Sequence, residues 1–202
     1  MSMLVAGPQT ISFGALPNVT YGVAPITLTA TASSGLLVDY SVTGPATVNG
    51  STLTITGAGQ VSVTASQPGN SNFLAATPVT QMFTVSPATL TVTATSVNIS
   101  YGQPIPALTY NVTGFVNGDP ASVVTGSPVE STTATSTSAP GGYPITITQG
   151  TLSATNYTFK FVNGALTIGS AAQTITFNSL PQRHLWRSAN HPYRDCVIRP
   201  SG

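Results

Sequence analysis

Along most of this chain, apolar and hydroxyl side chains alternate one for one. In "ITLTATA", Ile26, Leu28, Ala30 and Ala32 fall on one side and Thr27, Thr29 and Thr31 on the other. "VDYSVT", "TLTIT", "VSVTAS" and "MFTV" continue the pattern with Val38, Tyr40 and Val42; Leu53 and Ile55; Val61 and Val63; and Phe83 and Val85. Successive strand residues point to opposite faces, so a period of two describes a sheet with one buried side. Threonine suits the outer side, because its β-branch favours extended backbone and its hydroxyl meets water. No segment keeps a 3.6-residue apolar period, so the chain is predicted to be all-β.

Turn chemistry separates the runs: "GPATVNGS" after Thr43, "GAG" at Gly57 to Gly59 and "QPGNSN" at Gln67 to Asn72. Residues 9–86 are expected to hold about seven short strands, the number an immunoglobulin-like sandwich uses. A second set runs from "TLTVTAT" through "LTYNVTG" and "YPITITQ" to "NYTFKFVNGALTI". In the last of these, Asn163-Gly164 is expected to form a two-residue hairpin turn. Ser86-Pro87 divides the sets and, being short, should limit their relative swing.

The chain also repeats itself. "NVTYGVAPITL" at Asn18 and "NISYGQPIPAL" at Asn98 place two Tyr-Gly pairs 80 residues apart. "QTITFNSLP" at Gln173 copies "QTISFGALP" at Gln9 at six of nine positions, with an offset of 164. The order is module, module, and the opening of a third.

Only 4% of residues are charged while 41% are hydrophobic, which excludes the composition of a disordered chain. Residues 1–181 carry Lys160 against Asp39, Asp119 and Glu130, a net of −2. Residues 182–202 carry Arg183, Arg187, Arg194 and Arg199 against Asp195, a net of +3, together with both His, the only Trp and the only Cys. If that peptide is written in allowed codons and read one nucleotide later, it gives NVTYGVAPITLTATASSGLP, which agrees with Asn18 to Leu37 at 19 of 20 positions. The peptide therefore reads as the third module out of frame, and its Arg-aromatic composition is no nucleic-acid signal.

These motifs carry a resemblance. "QTISFGALPNVTYGVAPITLTATASSGL" and "GAGQVSVTASQPGNSNFLAATPVTQMFTV" resemble bacterial Ig-like modules of large repetitive surface proteins. "LTVTATSVNISYGQPIPALTYNVTGFVNGD", with "YPITITQGTLSATNYTFKFVNGALTI", resembles the MBG (mostly beta, glycine-rich) domain. The resemblance implies tandem β-sandwich modules in a cell-surface or secreted protein, acting as stalks, spacers or adhesive surfaces, with no catalytic residues to carry over.

The inventory of reactive groups agrees. Residues 1–181 have no His or Cys, which removes the base of a Ser-His or Cys-His pair and the nitrogen and sulfur ligands of zinc. Asp39 is expected on the polar face of a strand and Asp119 in an "NGDP" turn, both solvated, so an acid and base pair with Glu130 is not expected. Three carboxylates are too few for the oxygen cage of calcium. Lys160, Asn156 and Glu130 raise the idea of a Lys-Asn cross-link with an acid catalyst. However, Tyr157, Phe159 and Phe161 alternate toward one face, which sends Lys160 to the solvated other. The sequons at Asn18, Asn98, Asn111 and Asn156 arise by composition in Thr- and Asn-rich strands. The aromatics Tyr21, Tyr101, Tyr110, Tyr143, Tyr157, Phe115 and Phe161 are expected in the core, with a sugar-binding surface as the sharper alternative.

The expected organisation is a linker remnant at 1–8, a bacterial Ig-like sandwich at 9–86 and an MBG-type sandwich at 88–168. A linker and orphan first strand of a third module follow at 169–181, and a frameshifted, disordered tail at 182–202. The function expected is a non-enzymatic spacer, with a glycan- or matrix-protein-binding adhesive module as the alternative. No catalytic, cofactor or metal residues are assigned and no cofactor is expected. Neighbouring modules are the expected partners, with a glycan or surface protein as the alternative, and neither nucleic acid nor a membrane span. No apolar stretch reaches the roughly 20 residues of a membrane-spanning helix. The opening lacks the basic and apolar regions of a signal peptide, so the chain reads as a piece of a longer exported protein.

Overall fold

A computed structural model describes residues 5–177. The chain divides into two compact units, Met1–Ala171 and Ala172–Gly202. The described strands all lie in the first, and none of the described residues is α-helical. The expected frameshifted tail at 182–202 lies outside the described residues. Residues 173–177, expected as an orphan strand, carry no strand pairing.

Nine strands precede Pro87: β1 (Ile11–Ser12), β2 (Val19–Thr20), β3 (Ile26–Thr27), β4 (Thr31–Ala32), β5 (Asp39–Thr43), β6 (Ala46–Asn49), β7 (Thr52–Ile55), β8 (Gly59–Ser66) and β9 (Val79–Ser86). They form sheets ordered β1-β4, β2-β9-β8-β5 and β3-β7-β6. Seven follow it: β10 (Ala88–Ala94), β11 (Val97–Ser100), β12 (Tyr110–Thr113), β13 (Val129–Thr132), β14 (Gly141–Thr148), β15 (Tyr157–Val162) and β16 (Gly164–Gly169). These form sheets ordered β12-β10-β15 and β11-β16-β14-β13. No strand before Pro87 pairs with one after it, so each set builds its own β-sandwich.

Nine strands, not about seven, precede Pro87 because extended runs change sheets without changing direction. "ITLTATA" keeps its alternation, with Leu28 and Ala32 buried and its threonines exposed. Its start pairs with β7 and its end with β1, so the ladder breaks where the chain crosses between sheets. "GPATVNGS" is likewise not all turn: Ala46–Asn49 is a strand, and only Gly50-Ser51 turns it into β7.

Asn163-Gly164 is not the expected hairpin. β15 pairs in parallel with β10, whereas β16 continues onward in the other sheet against β14 and β11. The Asn163 side chain accepts the Ile147 backbone N–H at 3.1 Å, tying the crossing to β14. Glycine is needed at 164 for closeness, since a Cβ there would stand 2.7 Å from the Ala94 carbonyl oxygen. The pair thus serves a sheet change and not a reversal.

The inward faces follow the alternation. Leu53, Ile55, Val61, Val63, Phe83 and Val85 form one core, and Val92, Ile145, Ile147, Leu166 and Ile168 a second. Burying each such side chain stabilises by about 1.5–3 kcal/mol before chain entropy is counted. The first core does not stop at Pro87, for Ala88, Leu90 and Tyr157 of the second sandwich belong to it.

Candidate functional site

The place where chemistry-bearing side chains converge is the joint between the sandwiches. β2 pairs in parallel with β9 up to Thr20 and Ser86, and the next backbone N–H, that of Tyr21, donates to the Ser86 carbonyl at 2.8 Å. This pins Tyr21 beside the point where the chain leaves the first sandwich. Gly22 follows with φ +99°, and a Cβ there would lie 2.7 Å from Val116 of the second sandwich. Only glycine meets both the left-handed backbone and the close approach.

Val116 begins the turn that presents Asp119. Asn117 and Gly118 adopt φ +56° and +74°, and the Asp119 N–H closes the turn on the Val116 carbonyl at 2.9 Å. The Asp119 Oδ2 then accepts two phenols, from Tyr157 at 2.7 Å and from Tyr21 at 3.1 Å. The Tyr157 hydroxyl also accepts the Val116 N–H at 3.1 Å. The Tyr157 ring meets Tyr21 and Phe115 edge-on, with centroids 5.6 and 6.0 Å away. Burial holds the Tyr157 phenol above its ordinary value, and the Asp119 carboxylate pushes the same way.

Asn156 makes a second tie across the joint. Its Oδ1 accepts the Ala58 N–H of the first sandwich at 3.0 Å, and its backbone carbonyl accepts the Ala88 N–H at 3.0 Å. The chain passing through Ser86-Pro87 is thus flanked by the Tyr21–Asp119–Tyr157 cluster and the Asn156 tie. A groove of about 450 Å³ lies over them, lined by Tyr21, Thr56, Asp119, Val123, Thr155, Asn156 and Tyr157.

The expectation of solvated carboxylates holds for Asp39, the exposed first residue of β5, and fails for Asp119. Asp119 is half-buried under the two phenols because one side of the "NGDP" turn packs against the first sandwich while the other faces the groove. Glu130 points inward opposite Ile147, one of its oxygens is buried without a hydrogen-bond partner among the described residues, and burial raises its pKa. The cross-link trio is not assembled: Lys160 is exposed on β15, Glu130 lies in the other sheet, and Asn156 is committed to Ala58. Among the described residues no three His, Cys, Asp or Glu side chains gather as metal ligands. Tyr21 and Tyr157 are buried and Phe115, Phe161 and Tyr143 half-buried, whereas Tyr101 and Tyr110 are exposed.

A buried polar clasp occupies the opposite pole of the first sandwich. Gln9 Nε2 donates to Gln67 Oε1 at 2.8 Å and to the Leu74 carbonyl at 2.7 Å, and the Ser34 hydroxyl donates to Gln9 Oε1. Gln67 Nε2 reaches the Leu37 carbonyl at 3.3 Å, so the pole loops are tied together. Sequence reasoning missed both the joint and the clasp. Their available signals were the repeated Tyr-Gly pair and the repeated opening glutamine.

Residues 90–167 match the family model of the MBG domain (YGX type), and Tyr101-Gly102-Gln103 lies in that span. Among solved structures, the chain is similar to Drosophila N-cadherin EC1-4, at 8% identity and a TM-score of 0.33, over 83% of this chain and 50% of that one. It is also similar to the human Desmocollin-1 ectodomain, at 11% identity and 0.30, over 82% and 42% of the two chains. Mouse Cadherin-23 EC22-24 is similar at 12% identity and 0.31, over 81% and 64%. The chain thus spans about half the length of the first of these structures. The search of curated proteins returned no match.

Proposed function

We propose that this chain is a structural spacer, a stiff two-module segment of a large repetitive cell-surface or secreted bacterial protein, without enzymatic activity of its own. The observation that carries this reading is the joint. The core of the first sandwich extends into the second, and the two are tied by Tyr21, Asp119, Tyr157 and Asn156, so the Ser86-Pro87 link has little freedom to bend. The match of residues 90–167 to the MBG model supports the same reading. The outer faces support it too: they are coated with threonine and nearly uncharged, offering little for non-specific electrostatic attraction.

Small-angle scattering on the chain tests stiffness. A single maximum dimension that does not change between low and high salt is expected. Asp119→Ala should broaden the distribution of dimensions, and a parent chain already as broad as the variant refutes the spacer reading. The adhesive alternative draws on the exposed Tyr101 and Tyr110. Binding on a glycan or matrix-protein array that Tyr101→Ala abolishes would move the assignment there.

A further inference from the structure

The socket at Tyr21-Gly22 has an unfilled twin. In the second sandwich β11 pairs in parallel with β16 up to Ser100 and Gly169, and the Tyr101 N–H donates to the Gly169 carbonyl at 2.8 Å. This repeats the bond from Tyr21 to Ser86, again beside the residue where the chain leaves its sandwich. Gly102 has φ +83°, matching +99° at Gly22. The surroundings differ. Tyr21 is 6% exposed and Tyr101 45%, and none of the described residues stands within 4 Å of a Cβ built on Gly102.

The plug for such a socket is also present, unused, at the other pole. In the second sandwich it is the loop after β12, the strand paired with the module's first strand, β10. That loop reads Gly114-Phe115-Val116 and then, three residues on, Asp119; Val116 sits on Gly22 and Asp119 takes the Tyr21 phenol. The first sandwich has the equivalent loop after β4, which pairs with its own first strand, β1. It reads Gly35-Leu36-Leu37 and then, two residues on, Asp39. Gly35 and Gly114 both have positive φ, +75° and +102°. Leu37 is 89% exposed even though the Gln67 side chain holds its carbonyl in place. A large apolar side chain held in water on a fixed loop loses hydrophobic stabilisation unless something covers it.

We propose that Tyr101-Gly102 is the receiving half of a second joint, filled by the pole of a following module of the first type. Leu37 of that module seats on Gly102, and its Asp39 accepts the Tyr101 phenol. The order of modules fits, since Gln173 opens a copy of the Gln9 motif shortly after Gly169, and the copy read out of frame keeps the loop's Gly and first Leu while placing another apolar residue, proline, at the Leu37 position. Socket and plug lie at opposite ends of one chain, so the contact is head-to-tail and propagates as an open array. The inference rests on the spacer reading.

The test is a two-copy chain in which residues 1–172 are followed directly by residues 9–171, keeping the offset of 164 between Gln173 and Gln9. Each substitution is placed in one copy at a time. Leu37→Asp in the second copy and Tyr101→Ala in the first should each lower the unfolding midpoint by about 3–6 °C, the shift expected for one lost contact in a chain of this size. The same substitutions in the other copies meet no partner and should leave the midpoint unchanged, which also shows that the variants fold. Equal effects in both copies, or none in either, overturn the joint. Scattering on the same chain separates the two failures. An elongated particle with symmetric mutational effects removes the joint and leaves the spacer reading, whereas a flexibly collapsed particle removes the spacer reading and the joint with it.

Discussion

Tyr157→Phe removes one hydroxyl from the joint while keeping the ring, so it isolates polar from apolar cohesion. The hydroxyl donates to the Asp119 carboxylate at 2.7 Å, and a hydrogen bond to a charged group contributes about 1.5–3 kcal/mol. It also accepts the Val116 N–H at 3.1 Å, whose loss is softened because the groove above admits water. The edge-on contacts with Tyr21 and Phe115 survive in the phenylalanine ring. A loss of about 2–3 kcal/mol follows, or a midpoint lower by about 5–10 °C in a body of this size. Tyr21→Phe removes only the longer, 3.1 Å bond to the same carboxylate and should cost about 1.5 kcal/mol, the low end of that range. Because both phenols share one oxygen, the double variant should depart from additivity. Calorimetric unfolding of the parent, both single variants and the double variant measures all of these terms. A Tyr157→Phe chain within about 0.5 kcal/mol of the parent, or a Tyr21→Phe chain that loses more than it, refutes the reasoning. The folded phenol of Tyr157 lies above its ordinary value of 10.0, so its contribution is complete below that pH and fades as pH rises through the folded value. The parent should therefore lose stability on the alkaline side, and Tyr157→Phe should flatten that limb.

Further outcomes are expected elsewhere in the fold. Gly22→Ala should destabilise far more than Gly102→Ala in thermal melts. Both force alanine into positive φ, but only the first also drives a Cβ to 2.7 Å from Val116. Glu130 has a folded pKa raised by burial above its ordinary 4.5, so its contribution is complete below that pH and lost as pH rises through the folded value. Glu130→Gln should thus raise the midpoint at pH 7 and leave it nearly unchanged at pH 4, and a loss of stability at pH 7 would show that the carboxylate has a partner. Intact mass spectrometry should return the full sequence mass, without the loss of about 17 Da that a Lys160–Asn156 cross-link would cause. Leu53→Ala, at a fully buried position of the first core, should cost about 2–5 kcal/mol in denaturant melts.

Alternation alone was enough to read the sandwich class and its inward faces. The apolar members at 53, 55, 61, 63, 83 and 85 are all buried, because a period of two fixes which face a side chain takes in any sheet. Local chemistry was a poorer guide to where the backbone hydrogen bonds go. Asn163-Gly164 looks like a hairpin turn, yet continues straight on, since whether a strand reverses or crosses to the other sheet depends on partners about 70 residues away at Ala94 and Ser96.

The sequence by itself determined that the chain is all-β, that it repeats, that its charges are few, and that the Tyr-Gly pairs and opening glutamines recur. Repetition and period are properties of residue order and need no coordinates. Only the tertiary structure decided what the recurring residues are for. Asp119 looks like any solvated turn carboxylate until the turn is set against Tyr21, 98 residues away, and Tyr157, 38 residues away. One Tyr-Gly pair is buried in a joint and its twin is exposed because burial depends on what lies opposite, and local sequence does not encode that.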